Sequence, residues 1–336
     1  MKKIITLVLA LAMAVSLFTG CGKKNNAETG ESDSNKLSVV TTIFPEYDWV
    51  REILGDKAES TDLTMLLDNG VDLHSYQPTT DDIIKVFDCD LFIYVGGESD
   101  GWVENALKTA ANKDIKVVSL LEVLGERVKT EEIVEGMQDA DHAHAHDHEH
   151  EHDHDHGEEK DEHVWLSLKN AKTLVGAIAD ALQELDPDNK GIYATNAAAY
   201  IEKLSALDSA YQSAVDGAAR KVVLFSDRFP FRYLADDYGL RYYAAFVGCS
   251  AESEASFETV SFLAKKVDEL GLPCVLTIEG KNHKLAETIV RSTAGKNQKV
   301  LTMDSMQSMT SEDVANGTTY LSVMEQNLSV LREALG

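Results

Sequence analysis

The sequence predicts an α/β fold: two lobes of parallel-type sheet flanked by helices and joined by one long helix. Three observations predict it. Strand-like and helix-like segments alternate in both halves of the chain, the rhythm that builds parallel sheets covered by helices. The segment Ile192–Asp216 contains neither Gly nor Pro and carries an apolar stripe at helical spacing. A polar tract of alternating histidines interrupts the first alternating half.

In the first half, Leu37–Ile43 is an apolar, β-branched run and reads as a strand, with a helix over Tyr47–Leu54. Ser60–Leu67 reads as a second strand, and Thr79 with Asp81 can cap a helix running toward Val86. Leu91–Val95 reads as a buried strand, Trp102–Ala111 as a helix and Ile115–Val118 as a strand. After the tract, Leu168–Leu185 is helical and stops at Asp186-Pro187. On the long segment, Tyr193, Ala197, Tyr200, Ile201, Leu204, Leu207, Tyr211 and Ala214 share one stripe. Its length of about 37 Å could carry it from one lobe into the other, though spacing alone equally allows a long surface helix.

The second half repeats the alternation. Lys221–Phe225, Arg241–Phe246, Cys274–Ile278 and Val300–Met303 read as strands; Arg232–Tyr238, Ser256–Leu270, His283–Ser292 and Thr319–Leu335 read as helices. Ligands of such folds bind at the carboxyl ends of strands and between lobes.

The N-terminus reads as an export signal. Lys2 and Lys3 precede an apolar run, Ile4–Phe18, short of the roughly 20 residues of a membrane-spanning helix. It ends Leu17-Phe18-Thr19-Gly20-Cys21. Small residues before a Cys resemble the bacterial lipoprotein box, in which that Cys carries the lipid; Phe18 stands where Leu is usual. An ordinary cleaved signal with an incidental Cys is the competing reading. The polar stretch behind Cys21 reads as a flexible tether. The expected organisation is a signal over 1–20, a tether over 21–36, a first lobe over 37–190 with an acidic His-rich loop near 135–162, a linking helix over 191–218 and a second lobe over 219–336. The expected location is the outer face of the cytoplasmic membrane, anchored through Cys21.

The formal net charge is −26. An acidic surface excludes nucleic acid as a partner and attracts cations. G-x-x-x-x-G-K-[ST], H-E-x-x-H and G-x-S-x-G are all absent, so the chain shows no sign of nucleotide-driven, zincin or serine-hydrolase chemistry. Cys89 sits in an apolar context and reads as a buried small hydrophobe. Cys249 and Cys274 could pair in an oxidising compartment or remain free thiols.

Metal chemistry is the strongest functional signal. Every second residue from His142 to His156 is a histidine: His142, His144, His146, His148, His150, His152, His154 and His156. Dense imidazole among acids binds zinc, copper or nickel. The tract lacks core-forming residues and reads as disordered without metal. Outside it lie His74, His163 and His283. His74 sits in the loop Gly70–Pro78 between a strand and a helix, where sites form. His163 sits in Asp161-Glu-His-Val-Trp-Leu-Ser167, where the acidic loop gives way to a helix. His283 begins a helix and reads as a surface residue, although it and Glu279 could reach a cleft.

With those residues in place, the chain resembles the solute-binding lipoproteins of bacterial ABC importers for zinc and manganese, the ZnuA-like or cluster A-I family. The His74 motif, the His163 run and the His-rich loop between them carry the resemblance. So do Tyr193-x-x-Asn196, Asp237-Tyr238-Gly239-Leu240, Glu254-Ala-Ser256, Met303-Asp304-Ser305, Thr319-Tyr320-Leu321 and Asn327. It covers the chain from about Leu37. It implies a rigid linking helix, a metal site in the interlobe cleft, and no enzymatic activity. His74 and His163 match the two first-lobe ligands, and Asp304 matches the second-lobe carboxylate. The fourth position is a His in zinc members and a Glu in manganese members. If Phe231-x-Tyr233 aligns with the family's run, that position holds Arg228. A permanently protonated Arg cannot bind a cation. Asp227 is then the nearest substitute, with Glu279, His283 or a tract His as alternatives. Gln77 also replaces an acid common beside the first ligand.

Two His with two Asp is an ambiguous set, but many imidazoles suit zinc better than manganese. Zn2+ is therefore the expected cargo, with Mn2+ or another transition metal as the alternative. The implied partners are an ABC permease and its cytoplasmic ATPase, with the chain acting as a monomer. Ligand histidines must be neutral, so affinity is expected to fall below about pH 6. A metalloenzyme, and a His-rich surface metal buffer or adhesin, are the competing function classes. On the transport reading the tract is an accessory that gathers or senses metal.

Overall fold

The first sheet is fully parallel. Its strands are β1 (Ser38–Thr41), β2 (Asp62–Met65), β3 (Leu91–Tyr94) and β4 (Lys116–Ser119), in the order β2-β1-β3-β4. Val39 pairs with Leu63 on one side and Leu91 on the other, and Phe92 pairs with Val117. Val39, Val40, Phe92 and Ile93 are all buried, as a strand covered on both faces requires. The structure is a computed structural model and describes residues 36–110, 112–138, 159–250, 254–280 and 282–336. The expected signal and all of the tether but Lys36, Cys21 included, lie outside the described residues, as does the His142–His156 tract.

Several helices begin where the sequence supplies caps. Thr79 accepts from the Asp82 amide, and the Asp82 carboxylate accepts from Thr79, so the helix Thr80–Asp88 starts on a capping box. Asp82, not the expected Asp81, completes that box. The helix Phe44–Leu54 starts further upstream than expected because Glu46 reaches back to the Thr42 and Ile43 amides at 2.8 and 3.2 Å. Gly55, at φ 54°, ends it in a conformation that disfavours other residues. Ser167 caps the helix Leu168–Leu185. Short helices at Leu120–Leu124 and Ser311–Ala315 were not expected from periodicity, which needs more than one turn to register.

The long helix spans Lys190–Asp216. Its buried face is Tyr193, Ala197, Tyr200, Leu204, Leu207, Tyr211 and Val215, with Ile201 and Ala214 at the margin. Near its start, Asn196 donates to the Ile53 carbonyl at 3.0 Å. Near its end, Tyr211 donates to the Met324 carbonyl at 2.7 Å and stacks on Tyr238. One helix therefore packs on the helix that follows β1 and on two helices of the second lobe, Arg232–Tyr238 and Tyr320–Leu335. That contact pattern rules out a helix lying on the surface of a single lobe.

The second lobe is built from short parallel pairs. Strand β5 (Val222–Leu224) pairs with β7 (Arg241–Tyr243), and β9 (Cys274–Thr277) with β10 (Lys299–Thr302). A parallel bridge between Phe225 and Leu276 connects the two pairs. The single strand expected over Arg241–Phe246 is broken at Ala244-Ala245. There the Ala245 and Phe246 amides both turn to the Asp227 carbonyl. The chain resumes as β8 (Phe246–Val247) beside β6 (Arg228–Phe229). Cys89, Cys249 and Cys274 are all free thiols, so Cys249 and Cys274 are not paired. Residues Leu37–Gly336 form one compact unit. No helix among the described residues is long and apolar enough to cross a membrane.

Candidate metal centre

The site-bearing loops mostly leave the carboxyl ends of parallel strands. His74 follows β2, Ser99 follows β3, Asp227 follows β5, Cys249 follows β8, Glu279 follows β9 and Asp304 follows β10. His163 comes instead from the segment that returns from the His-rich loop. That return is clipped to the outgoing strand of the loop: Thr130 and Lys160 form an antiparallel bridge, and the Asp161 amide donates to the Lys129 carbonyl at 2.9 Å.

The structure brings the two expected imidazoles together. His74 Nε2 and His163 Nε2 lie 3.1 Å apart. Two nitrogens held about 2.0–2.1 Å from one tetrahedral ion would lie about 3.3 Å apart, so the pair is spaced for a shared ion. Each ring is anchored from behind. His163 Nδ1 meets Asp161 Oδ1 at 2.8 Å, and His74 Nδ1 meets Ser99 Oγ at 2.9 Å with Glu162 Oε2 at 3.6 Å. A carboxylate or hydroxyl behind one ring nitrogen selects the tautomer that leaves the other free for metal. Both sites are shielded, His163 fully and His74 nearly so. Burial, the neighbouring His163 and Arg228 hold His74 far below the ordinary imidazole range. The His74 ring is therefore held in its neutral form below the pH at which an unperturbed histidine protonates.

The second-lobe candidates are placed differently. Asp304 Oδ1 accepts from the Met306 amide at 2.7 Å, and its backbone is clamped by both amide atoms of Asn327. Burial and the adjacent Glu279 push the Asp304 carboxyl up to about 7. Asp227 accepts from Thr277 Oγ1, which His283 Nδ1 also approaches at 3.4 Å. Glu279 takes the Ser305 amide, the Ser305 hydroxyl and the Gln307 amide, so it cradles the Asp304 loop. Arg228 pairs with Asp72, two residues before His74, and its other nitrogen reaches the Ser250 carbonyl. Arg232 pairs with Glu132. Neither Arg is partnered by Asp227.

Among the described residues, two groups of three or more His, Cys, Asp or Glu bring ligand atoms within 4.8 Å of one another. They are His74–His163–Cys249 and Glu131–Asp161–His163; Asp304 and Asp227 belong to neither. Asp161, Ser99, Glu131, Gly248 and Cys249 were not singled out as site residues from the sequence. Asp161, two residues before His163 in Asp-x-His, was the one among them with a local signal, since its side chain also takes the His163 amide at 3.0 Å.

The fold and the paired imidazoles define a two-lobed α/β binding protein of the solute-binding type, with histidines converging at strand ends. The chain belongs to the ZnuA family, described as zinc-uptake complex component A, periplasmic, which matches residues 39–334. It is 33% identical over 333 residues to the zinc-binding lipoprotein AdcA of Streptococcus pneumoniae, covering 99% of this chain but 61% of that protein. The chain thus spans about three fifths of the length of that relative. It is 30% identical to the high-affinity zinc uptake system protein ZnuA of Bacillus subtilis over 98% of this chain and 97% of that one. Among solved structures, the Zn(II)-bound ZnuA-like domain of S. pneumoniae AdcA matches with a TM-score of 0.68 at 31% identity, over 89% of this chain and 99% of the other. The metal-dependent lipoprotein YcdH of B. subtilis matches with a TM-score of 0.71 at 28% identity, over 89% and 99%.

Proposed function

We propose that this chain captures Zn2+ outside the cytoplasm and delivers it to an ABC permease driven by a cytoplasmic ATPase. The observation that carries the reading is the His74–His163 pair: two buried imidazoles, 3.1 Å apart, each with its far nitrogen held. Relatives named for zinc binding and zinc uptake support it. The chain binds and does not turn over substrate. Its nitrogen ligands are His74 and His163, and Asp304 is the second-lobe carboxylate. Asp304 and Asp227 lie outside both groups, so any ligation by either needs a rearrangement at the cleft on metal binding. The chain acts as a monomer held to the outer face of the membrane by lipid on Cys21, and His142–His156 gathers metal for the cleft.

Isothermal titration of metal-free protein with Zn2+ tests the reading. A tight stoichiometric site that survives deletion of residues 139–158 and disappears in His74→Ala/His163→Ala is the expected result. Tight binding lost only with the tract would make the chain a surface buffer instead.

A further inference from the structure

If Phe231-x-Tyr233 aligns with the family's run, the fourth ligand position of the resemblance falls on Arg228, and the structure shows where that side chain goes. It is ion-paired to Asp72 and reaches the Ser250 carbonyl, tying the His74 loop to the Cys249 loop. A guanidinium in that place removes one donor and adds a fixed positive charge. Capture of a cation by His74 and His163 therefore calls for a donor from elsewhere in the second lobe.

The break at Ala244-Ala245 supplies one. It lets β8 run past Asp227 and carries Val247-Gly248-Cys249 up against the imidazoles. Gly248 lies close against His163: a Cβ there would sit 3.1 Å from His163 Cε1 and 3.0 Å from the Phe229 carbonyl. The next residue is pinned as well, because the Cys249 amide donates to Glu131 Oε1 at 3.2 Å. The outcome is that Cys249 Sγ lies within 4.8 Å of a ring nitrogen of His74 and of one of His163.

We infer that Cys249 is the third protein ligand of the cleft metal, giving a His74 Nε2, His163 Nε2, Cys249 Sγ set from both lobes. The inference rests on the zinc-capture reading and deepens it. Coordination replaces the thiol hydrogen with the metal and releases a proton to solvent. Glu131, whose Oε1 accepts from the Cys249 amide and whose Oε2 is buried without a hydrogen-bond partner, is a carboxylate held beside the cysteine. A thiolate beside two imidazoles selects zinc over manganese, whose preference is for oxygen. Arg228 then has a positive role: it holds the cysteine loop against the histidine loop, and its charge partly offsets the anionic thiolate.

The test is metal-free full-length chain loaded with one equivalent of Co2+. A thiolate-to-cobalt charge-transfer band in the near ultraviolet is expected. It should vanish in Cys249→Ser and in His74→Ala and persist in Cys274→Ser. X-ray absorption at the zinc edge of the unsubstituted protein, which needs no variant to fold, should show one sulfur at about 2.3 Å. Tight Zn2+ binding with no sulfur in the shell, or a cobalt band that survives Cys249→Ser, overturns the cysteine assignment and leaves zinc capture standing. Failure of the unsubstituted chain to bind Zn2+ tightly overturns both.

Discussion

His74 Nε2 and His163 Nε2 face each other at 3.1 Å although 89 residues separate them in the chain. Neither ring is free to rotate away, because Ser99 and Asp161 hold the opposite nitrogens. A site assembled before its ion arrives costs little ordering when the ion binds. Replacing either histidine with Ala should therefore abolish the tight site while leaving the fold intact. Calorimetric titration with Zn2+ and a melting curve in chelator, run side by side, check both halves of that statement.

The Asp161 carboxylate acts on metal only through His163. Asp161→Asn keeps the shape and an acceptor oxygen but removes the charge that favours the ligating tautomer and its basicity. Affinity for Zn2+ should fall by about 10–100-fold, the range usual for such outer partners. The metal-free melting temperature should change far less. A competition titration against a chelator of known affinity measures the first. An unchanged affinity would show that Asp161 is merely structural.

Much of this was legible in sequence, and the reasons it stopped are physical. His74 and His163 stood out because each lies in a local run with its own flanking signal. The helix Leu168–Leu185 was bounded correctly because Ser167 and Asp186-Pro187 punctuate it. Arg228 could be recognised as a non-ligand by chemistry alone. Its partner could not, since Asp72 lies 156 residues away. Cys249 was hidden for a related reason: Arg241–Phe246 reads as one strand, and only the turn onto the Asp227 carbonyl redirects the chain toward His163. Glu279 looked like a spare acid and is instead consumed by three donors of the Asp304 loop.

Gly248 sets how closely the second lobe approaches the imidazoles. Gly248→Val would place side-chain atoms against His163 Cε1 and the Phe229 carbonyl, both about 3 Å from the new Cβ. Because His163 is fully buried, the ring has nowhere to retreat, and overpacking of this kind costs about 1–3 kcal/mol. The variant should lose both metal affinity and stability. Gly248→Ala should lose affinity more than stability, since one carbon can be met by a shift of a few tenths of an ångström. Paired titration and melting experiments separate the two.

Buried acids away from the site impose a pH dependence of the opposite kind to that of ligand protonation. Glu46 is held up to about 8 by burial and by the nearby Asp100, and burial holds Asp100 itself up to about 7. Each has an oxygen with no hydrogen-bond partner, which is why the charged form is penalised. A carboxyl raised in the folded state binds a proton that the unfolded chain has already lost. Its stabilising contribution is present at low pH and disappears as pH rises through the folded value. His74 is held low in the fold and an unfolded histidine is mostly neutral above about pH 7, so His74 adds little in that range. The loss therefore runs from the unfolded carboxyl value, about 4, up to the folded one and is complete above about pH 8; between about pH 7 and 8, clear of histidine titration, the metal-free protein should still be losing stability, at no more than about 1.4 kcal/mol per pH unit for a fully titrating group. Glu46→Gln keeps an acceptor for the Thr42 and Ile43 amides and removes the charge, so it should flatten that decline whatever its effect on stability at neutral pH. Denaturant melts of both proteins across this range decide the matter: a slope unchanged by Glu46→Gln would mean that Glu46 is ionised in the fold throughout.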